Sequence, residues 1–259
     1  MGTRRVRGGC GGANREGRHH RAADTRRRGV YDSAVRIRGI LLDFYGTVVE
    51  EDDDVIRGIC EEVARDGDHS APEIGAMWGR EFTLSTAAAN VGGFRRQCDL
   101  AVSSLARVLA RVGSDRDPVE LCAPQFHYWR SPTLRTGSRE FLENCQLPIC
   151  VVSNIDREDL KAAIEHHQLR PLDLVTSEDI GVYKPAPKIF RAGLEVLGME
   201  PNEVLHIGDS LTADVAGADS LGIRVAWVNR KKRWAPTSAR IDYELTDLRE
   251  ILPALDRIT

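Results

Sequence analysis

Nowhere do the 259 residues hold an apolar run near the roughly 18–20 that a membrane helix requires, so no spanning helix is expected. The N-terminal segment has arginines but no hydrophobic stretch, and a secretory signal is not expected either. Six cysteines, at positions 10, 60, 98, 122, 145 and 150, form neither a C-x-x-C pair nor a regular framework. They read as reduced, partly buried thiols of a cytoplasmic protein, and they suggest no zinc site. Lysine is missing from the first 160 positions altogether. What is present is ordinary for a soluble globule, with 42% hydrophobic and 29% charged residues. A chain of this length can hold one α/β domain with an insertion, or two modest domains.

The net charge of −3 hides an asymmetry. Residues 1–38 carry eleven arginines against Glu16, Asp24 and Asp32, a net of +8, which leaves −11 on residues 39–259. Residues 1–35 are rich in Gly and Arg with almost nothing to bury, so a disordered basic tail is expected there. Such a tail could bind RNA or an acidic surface nonspecifically. A solvated tail, or a start codon assigned too far upstream, explains it more simply. The acidic body argues against a specific nucleic-acid-binding core.

Residues 36–43 read as a first strand. From about 52 to 133 the pattern is helical, with apolar residues at spacings of three and four and Gly or Pro breaks near 67–72, 90–93, 113–118 and 132. After 134 short apolar strands at 148–153, 173–177, 204–208, 224–228 and 242–245 alternate with helices near 156–167, 187–197 and 212–221. Strand–helix alternation with short connections predicts an α/β fold, a parallel sheet wound on both faces by right-handed crossovers. The expected organisation is a doubly wound core (36–51 and 134–259) with an all-helical insertion, 52–133, after the first strand.

In such sheets ligands bind outside the carboxyl ends of the strands. Asp43 ends the first strand, Ser153 and Asn154 end the second, and Asp209 and Ser210 end the 204–208 strand, with Asp214 one turn on. Lys184, in "GVYKPAPK", lies between a strand and its helix. Three acids at one edge raise each other's pKa unless a cation joins them. An oxygen-only ligand set with few protein donors points to Mg²⁺, which keeps several waters and binds one or two carboxylates plus a substrate phosphate. With the metal in place Asp43 stays ionised and can attack phosphorus. Ser153 and Asn154 can donate to phosphoryl oxygens, and Lys184 supplies fixed positive charge. Gly46 lets the backbone turn sharply beside them.

These segments carry a resemblance. "DFYGT", "VVSN", the lysine of "VYKP" and "GDSLTAD" resemble, in order, the four motifs of the haloacid dehalogenase-like (HAD) hydrolase superfamily, over about residues 39–250. The resemblance implies a Rossmann-like core with residues 52–133 as a helical cap that closes over the site and selects the substrate. It also implies a Mg²⁺ site formed by Asp43, the carbonyl of Tyr45, Asp209 and Asp214, with Thr47, Ser153, Asn154 and Lys184 holding the phosphoryl group.

One position departs from the phosphatase pattern. The second residue after the nucleophile is usually an aspartate that protonates the leaving oxygen and then activates water; here it is Tyr45. A phenol can donate a proton but is a poor base at neutral pH. The acids of "EEDDD", 50–54, are the nearest substitutes, although a solvated linker to the cap is the simpler reading of them. Asp-x-Tyr-Gly-Thr is also the pattern of the 2-haloacid dehalogenases, which use the same aspartate on carbon without a metal. "AMWGREF" looks like their Trp-Arg segment and makes Arg80 a candidate for the halide or carboxylate, one residue out of register. Dehalogenases lack the acids of "GDSLTAD". Phosphonoacetaldehyde hydrolase needs a cap lysine, and none exists. The expectation is a Mg²⁺-dependent phosphatase of a small phosphorylated metabolite, monomeric or homodimeric, with Asp43, Tyr45 and Lys184 as catalytic residues. A metal-independent dehalogenase using Asp43 and Arg80, or a phosphoryl-binding protein with little turnover, are the alternatives.

Overall fold

Gly39–Leu42 (β1) is buried along its whole length, so both of its faces must meet apolar layers. Its period of two divides it between them: Leu41 joins one core with Val152, Phe190 and Val204, while Ile40 and Leu42 join the other with Val151, Leu205 and Ile207. The computed structural model describes residues 1–2, 36–170 and 172–258, and Val35–Thr259 form one compact unit. Apart from its first two residues, the expected basic tail lies outside the described residues.

The other strands are Ile149–Ser153 (β2), Asp173–Thr176 (β3), Val204–Gly208 (β4), Arg224–Val228 (β5) and Tyr243–Leu245 (β6). All pair in parallel in the order β3-β2-β1-β4-β5-β6. The chain winds outward from β1 to β3, then crosses back to β4 and winds the other way. The crevice between β1 and β4 is therefore the topological switch point, where a doubly wound sheet opens a ligand site.

Five α-helices occupy the β1–β2 connection, and the first four fill its insertion: Asp53–Val63 (α1), Ala71–Gly92 (α2), Gln97–Val112 (α3) and Pro118–Arg130 (α4). Three of these four start or stop on a local signal. Ser70 and Glu73 form a capping box ahead of α2, and Asp117 caps α4 by accepting from Val119 N at 2.8 Å, with Pro118 at the first helical position. Gly113 ends α3 in the left-handed region. Trp78 Nε1 donates to Ser104 Oγ at 2.9 Å, fastening α2 to α3.

Ser138–Asn144 (α5), Arg157–His166 (α6), Ser177–Ile180 (α7), Pro187–Leu197 (α8), Ala216–Asp219 (α9) and Leu252–Ile258 (α10) complete the helices. The helix expected at 212–221 begins instead as a wide π-helical turn, Leu211–Val215. Among the described residues no helix is long and apolar enough to cross a membrane. The five described cysteines are unpaired thiols.

Candidate active site

Asp43 follows β1 directly, and its amide donates to Ile207 O of β4 at 2.9 Å, so the residue is pinned at the switch point. Beyond it the chain reverses: Phe44 O accepts from the amides of Thr47, Val48 and Val49. The turn requires Gly46, at φ +87°, for two reasons. The backbone is left-handed there, and an added Cβ would stand 2.8 Å from Asp209 Oδ1 and collide with Glu51. At the end of β4 Gly208 answers only the second need, close approach, because a Cβ there would run into the Asp214 side chain.

Lys184 Nζ is the centre of the polar cluster. It donates to Asp43 Oδ1 at 2.6 Å and Asp214 Oδ1 at 2.7 Å, all three side chains being buried. Burial works against the ammonium, but Asp214 and Asp43 outweigh it and raise its pKa, keeping it charged. The two carboxylates differ in support. Asp214 also accepts from Ser210 N at 3.0 Å and from His206 Nε2 at 3.0 Å; since a carboxylate only accepts, that nitrogen carries the proton. Burial opposes its charge, but Lys184 and His206 prevail and hold Asp214 well below the usual carboxylate range.

Asp43 has only Lys184, and its Oδ2 is buried without a partner. Burial, partly countered by Lys184 and reinforced by Asp214 and Asp209, lifts its pKa to about 7. Asp209 is raised by burial and by Asp214. One oxygen each of Asp43, Asp209 and Asp214 lie within 4.8 Å of one another. An orphaned buried carboxylate oxygen and an all-oxygen donor set fit a hard divalent cation such as Mg²⁺.

Asn154 is otherwise engaged than expected. Its Oδ1 accepts from Lys184 N at 2.7 Å and its Nδ2 donates to Lys184 O at 3.2 Å. Both ends of the amide clamp the backbone of Lys184, which aims the ammonium. Ser153 and Asn154 are both at the cavity wall, together with Asp43, Tyr45, Lys184, Asp209 and Asp214.

The structure does not bring Thr47 or Arg80 onto that wall. Thr47 is fully buried in the turn, its Oγ1 without a partner. Arg80 is exposed on α2, and it lines neither this cavity nor the one beside it. Trp78, two positions earlier, takes the inward place on that helix face.

The phenol of Tyr45 points to the helices. Its hydroxyl donates to Trp129 O, near the end of α4, at 2.5 Å. Burial, then Asp159 and Asp52, raise its pKa well above the ordinary value, so it keeps its proton. The acids of 50–54 divide: Asp53 and Asp54 sit in the first turn of α1, where a helix N-terminus favours negative charge, while Glu51 and Asp52 line the cavity. The surrounding protein, with Asp209, Asp52 and Asp43, lifts the Glu51 carboxyl to about 8, although the residue retains solvent-accessible surface. Sequence reading gave His206 no role and offered Glu51 only as one of the acids of 50–54. A histidine interrupting the apolar run Val204–Ile207 was a usable signal; for Glu51 nothing but nearness to Asp43 in the chain was available.

The chain resembles known proteins in both sequence and fold. It is 32% identical over 197 residues to a phosphoserine phosphatase of Thermus thermophilus, a match covering 72% of this chain and 75% of the relative. It is 26% identical over 223 residues to an (S)-2-haloacid dehalogenase of Pseudomonas sp., covering 83% and 93%. Several other relatives are matched over about half (51%) of their own length. Among solved structures, the HAD-hydrolase YfnB of Bacillus subtilis, bound to magnesium, superimposes with a TM-score of 0.67 at 22% identity, over 85% of this chain and 99% of its own. The family profile spans residues 37–222, from the strand that carries Asp43 to the helix beyond Asp214. With the carboxylates and the lysine assembled at the switch point of such a sheet, the chain belongs to the haloacid dehalogenase-like hydrolases.

Proposed function

We propose that this hydrolase removes phosphate from a small phosphorylated metabolite through an aspartyl-phosphate on Asp43, with Mg²⁺ as cofactor. The observation that carries the reading is the Asp43–Asp209–Asp214 cluster with its unpartnered Oδ2. Lys184 can neutralise only part of that charge. A dehalogenase needs no metal and would leave these three acids to Lys184 and to Arg233, which reaches Asp209 Oδ2 at 3.4 Å. Its carboxylate substrate would enter a cavity lined by Asp43, Glu51, Asp52, Asp209 and Asp214 against Lys184 as the one cation on its wall.

Asp43, Asp209, Asp214 and the carbonyl of Tyr45 would hold the ion. When bound, it neutralises phosphoryl oxygens and keeps Asp43 ionised. Asp43 attacks phosphorus while Lys184 balances the charge that builds on the phosphoryl oxygens and Ser153 donates to one of them. Asn154 positions Lys184. Glu51, on the wall beside Gly46 and without a hydrogen-bond partner among the described residues, is the side chain placed to give a proton to the leaving oxygen and to take one from water afterwards. In this scheme 52–133 form the cap, and the unpaired thiols suit the cytoplasm.

Turnover of p-nitrophenyl phosphate by the purified protein, with Mg²⁺ or with EDTA and beside Asp43→Asn, tests this. Activity that needs both the metal and Asp43 is expected. Hydrolysis that survives EDTA, or halide release from 2-chloropropionate in its place, would sink the assignment.

A further inference from the structure

A second cavity, of about 220 Å³, adjoins the first and shares Glu51, Asp52, Phe82, Gln97 and Trp129 with it. Its remaining lining comes from Ile56, Gly75, Trp78, Gly79 and Gln125. A phosphomonoester held at Asp43 must place its leaving group toward this space, so what lines it decides which alcohols are accepted.

Two features of the wall go beyond ordinary packing. Gly75 and Gly79 stand one turn apart in the interior of a 22-residue helix, where glycine weakens the helix relative to alanine. Above Gly79 nothing lies within 4 Å of where a Cβ would be, and Gly75 would meet only Cys60 Sγ at 3.6 Å. Neither is therefore glycine for want of room in the fold. What the pair provides is open space between Trp78 and Phe82.

The polar lining is equally specific. Gln125 is 5% exposed and donates through Nε2 to Asp52 Oδ2 at 2.8 Å, which fixes the orientation of the amide because a carboxylate can only accept. Its Oε1 is left buried with no partner. The indole nitrogens are occupied: Trp129 Nε1 donates to Asp52 Oδ2 at 2.8 Å and Trp78 Nε1 to Ser104 Oγ. Gln97 and the second hydrogen of the Gln125 amide are the side-chain N–H groups the lining still offers, and its acids are Glu51 and Asp52, with no cation among the lining residues. A buried acceptor without a donor calls for a donor on the ligand.

We propose that this cavity receives the leaving group of the phosphomonoester. It selects an apolar-bodied alcohol bearing an amine or hydroxyl, with no carboxylate. The inference rests on the phosphatase reading, and one series separates the two. Benzyl phosphate, 4-(aminomethyl)benzyl phosphate and 4-carboxybenzyl phosphate share one reacting centre and differ in the charge carried to the far end. With Mg²⁺, kcat/KM for the aminomethyl ester should equal or exceed that for benzyl phosphate, and both should stand at least tenfold above the carboxy ester. Turnover in the reverse order would overturn the inference and leave the phosphatase intact. Failure of p-nitrophenyl phosphate as well would instead remove the reading beneath it.

Two variants place the contacts. Gln125→Leu should lower the ratio of aminomethyl to benzyl turnover at least threefold, and an unchanged ratio would refute recognition by Oε1. Gly79→Leu should raise Tm, because a helix former replaces glycine in open space, yet lower the ratio of benzyl to ethyl phosphate turnover. A higher Tm with an unmoved ratio would show that the leaving group lies elsewhere.

Discussion

Replacing Tyr45 with phenylalanine separates the two things this residue could do. Its hydroxyl donates to Trp129 O and to nothing at the reacting centre. That carbonyl belongs to the last turn of α4, where helix carbonyls lack an intrahelical donor. Removing the phenolic oxygen deletes one hydrogen bond, worth about 1 kcal/mol net, and leaves an acceptor short of a partner, for a total of about 1–2 kcal/mol. For a body of this size each kcal/mol shifts Tm by about 2–4 °C, so a fall of roughly 2–8 °C is expected in a thermal melt. The backbone carbonyl of residue 45 is unaffected by the change, and so are Asp43 and Lys184. Turnover of p-nitrophenyl phosphate should therefore stay within about threefold of the parent, far from the roughly 10²–10⁴-fold that loss of a general acid or base brings. An unchanged Tm together with a fall in kcat of about 100-fold would refute the assignment of Tyr45 as a strap and restore it as the proton donor.

Three further outcomes follow from the same geometry. Gly46→Ala forces a Cβ against Asp209 and Glu51 at a left-handed φ, so the Mg²⁺ concentration giving half-maximal activity should rise at least tenfold; an unchanged metal titration would mean that Asp209 is not a ligand. Lys184→Met leaves Asp43 and Asp214 buried without their shared cation, a loss of about 3–5 kcal/mol, and thermal melts of the variant should recover partly when Mg²⁺ is added; no recovery would argue against a cation at these carboxylates. Glu51→Gln should slow hydrolysis of the intermediate, so that acid-precipitable phosphate accumulates on Asp43; equal labelling of variant and parent would assign the water-activating role to another group.

Much of the core was legible because its signals are local. Strand ends at Asp43, Ser153 and Asp209 follow from short apolar runs closed by polar residues, and β4 and β5 occupy the predicted 204–208 and 224–228. The breaks between α1 and α4 likewise fall on their Gly and Pro positions. Less legible was anything that depends on which way a side chain leaves the backbone. Asn154 and Lys184 are 30 positions apart, and nothing in either segment shows that the amide would clamp the lysine backbone. Arg80 reads as a plausible anion ligand in line, yet the helical period turns it outward while Trp78 and Phe82 face the cavity. The wide turn at Leu211–Val215 also has no composition signal, since its shape comes from Asp214 being drawn back toward Ser210 N, Lys184 and His206.

The tyrosine two residues after the nucleophile now has a physical reading. An aspartate there would add another carboxylate to a crevice that already holds Asp43, Asp209, Asp214 and Glu51, against Lys184 as the compensating group on the wall. Tyr45 instead stands on the wall with its hydroxyl turned away from the acids and into the seam with α4. There Trp129 joins two networks: its carbonyl receives the phenol, and its indole, with Gln125, holds Asp52. The loop carrying the nucleophile and the wall of the leaving-group cavity thus share one residue. If Glu51 supplies the proton transfers, the chemistry does not need an acid at position 45, and the position is free to fix the helices over the site. Such coupling makes a definite demand on a double-mutant cycle. Tyr45→Phe and Gln125→Leu act on opposite sides of Trp129, so their effects on the aminomethyl-to-benzyl ratio should be non-additive, whereas residues without a shared partner would simply add.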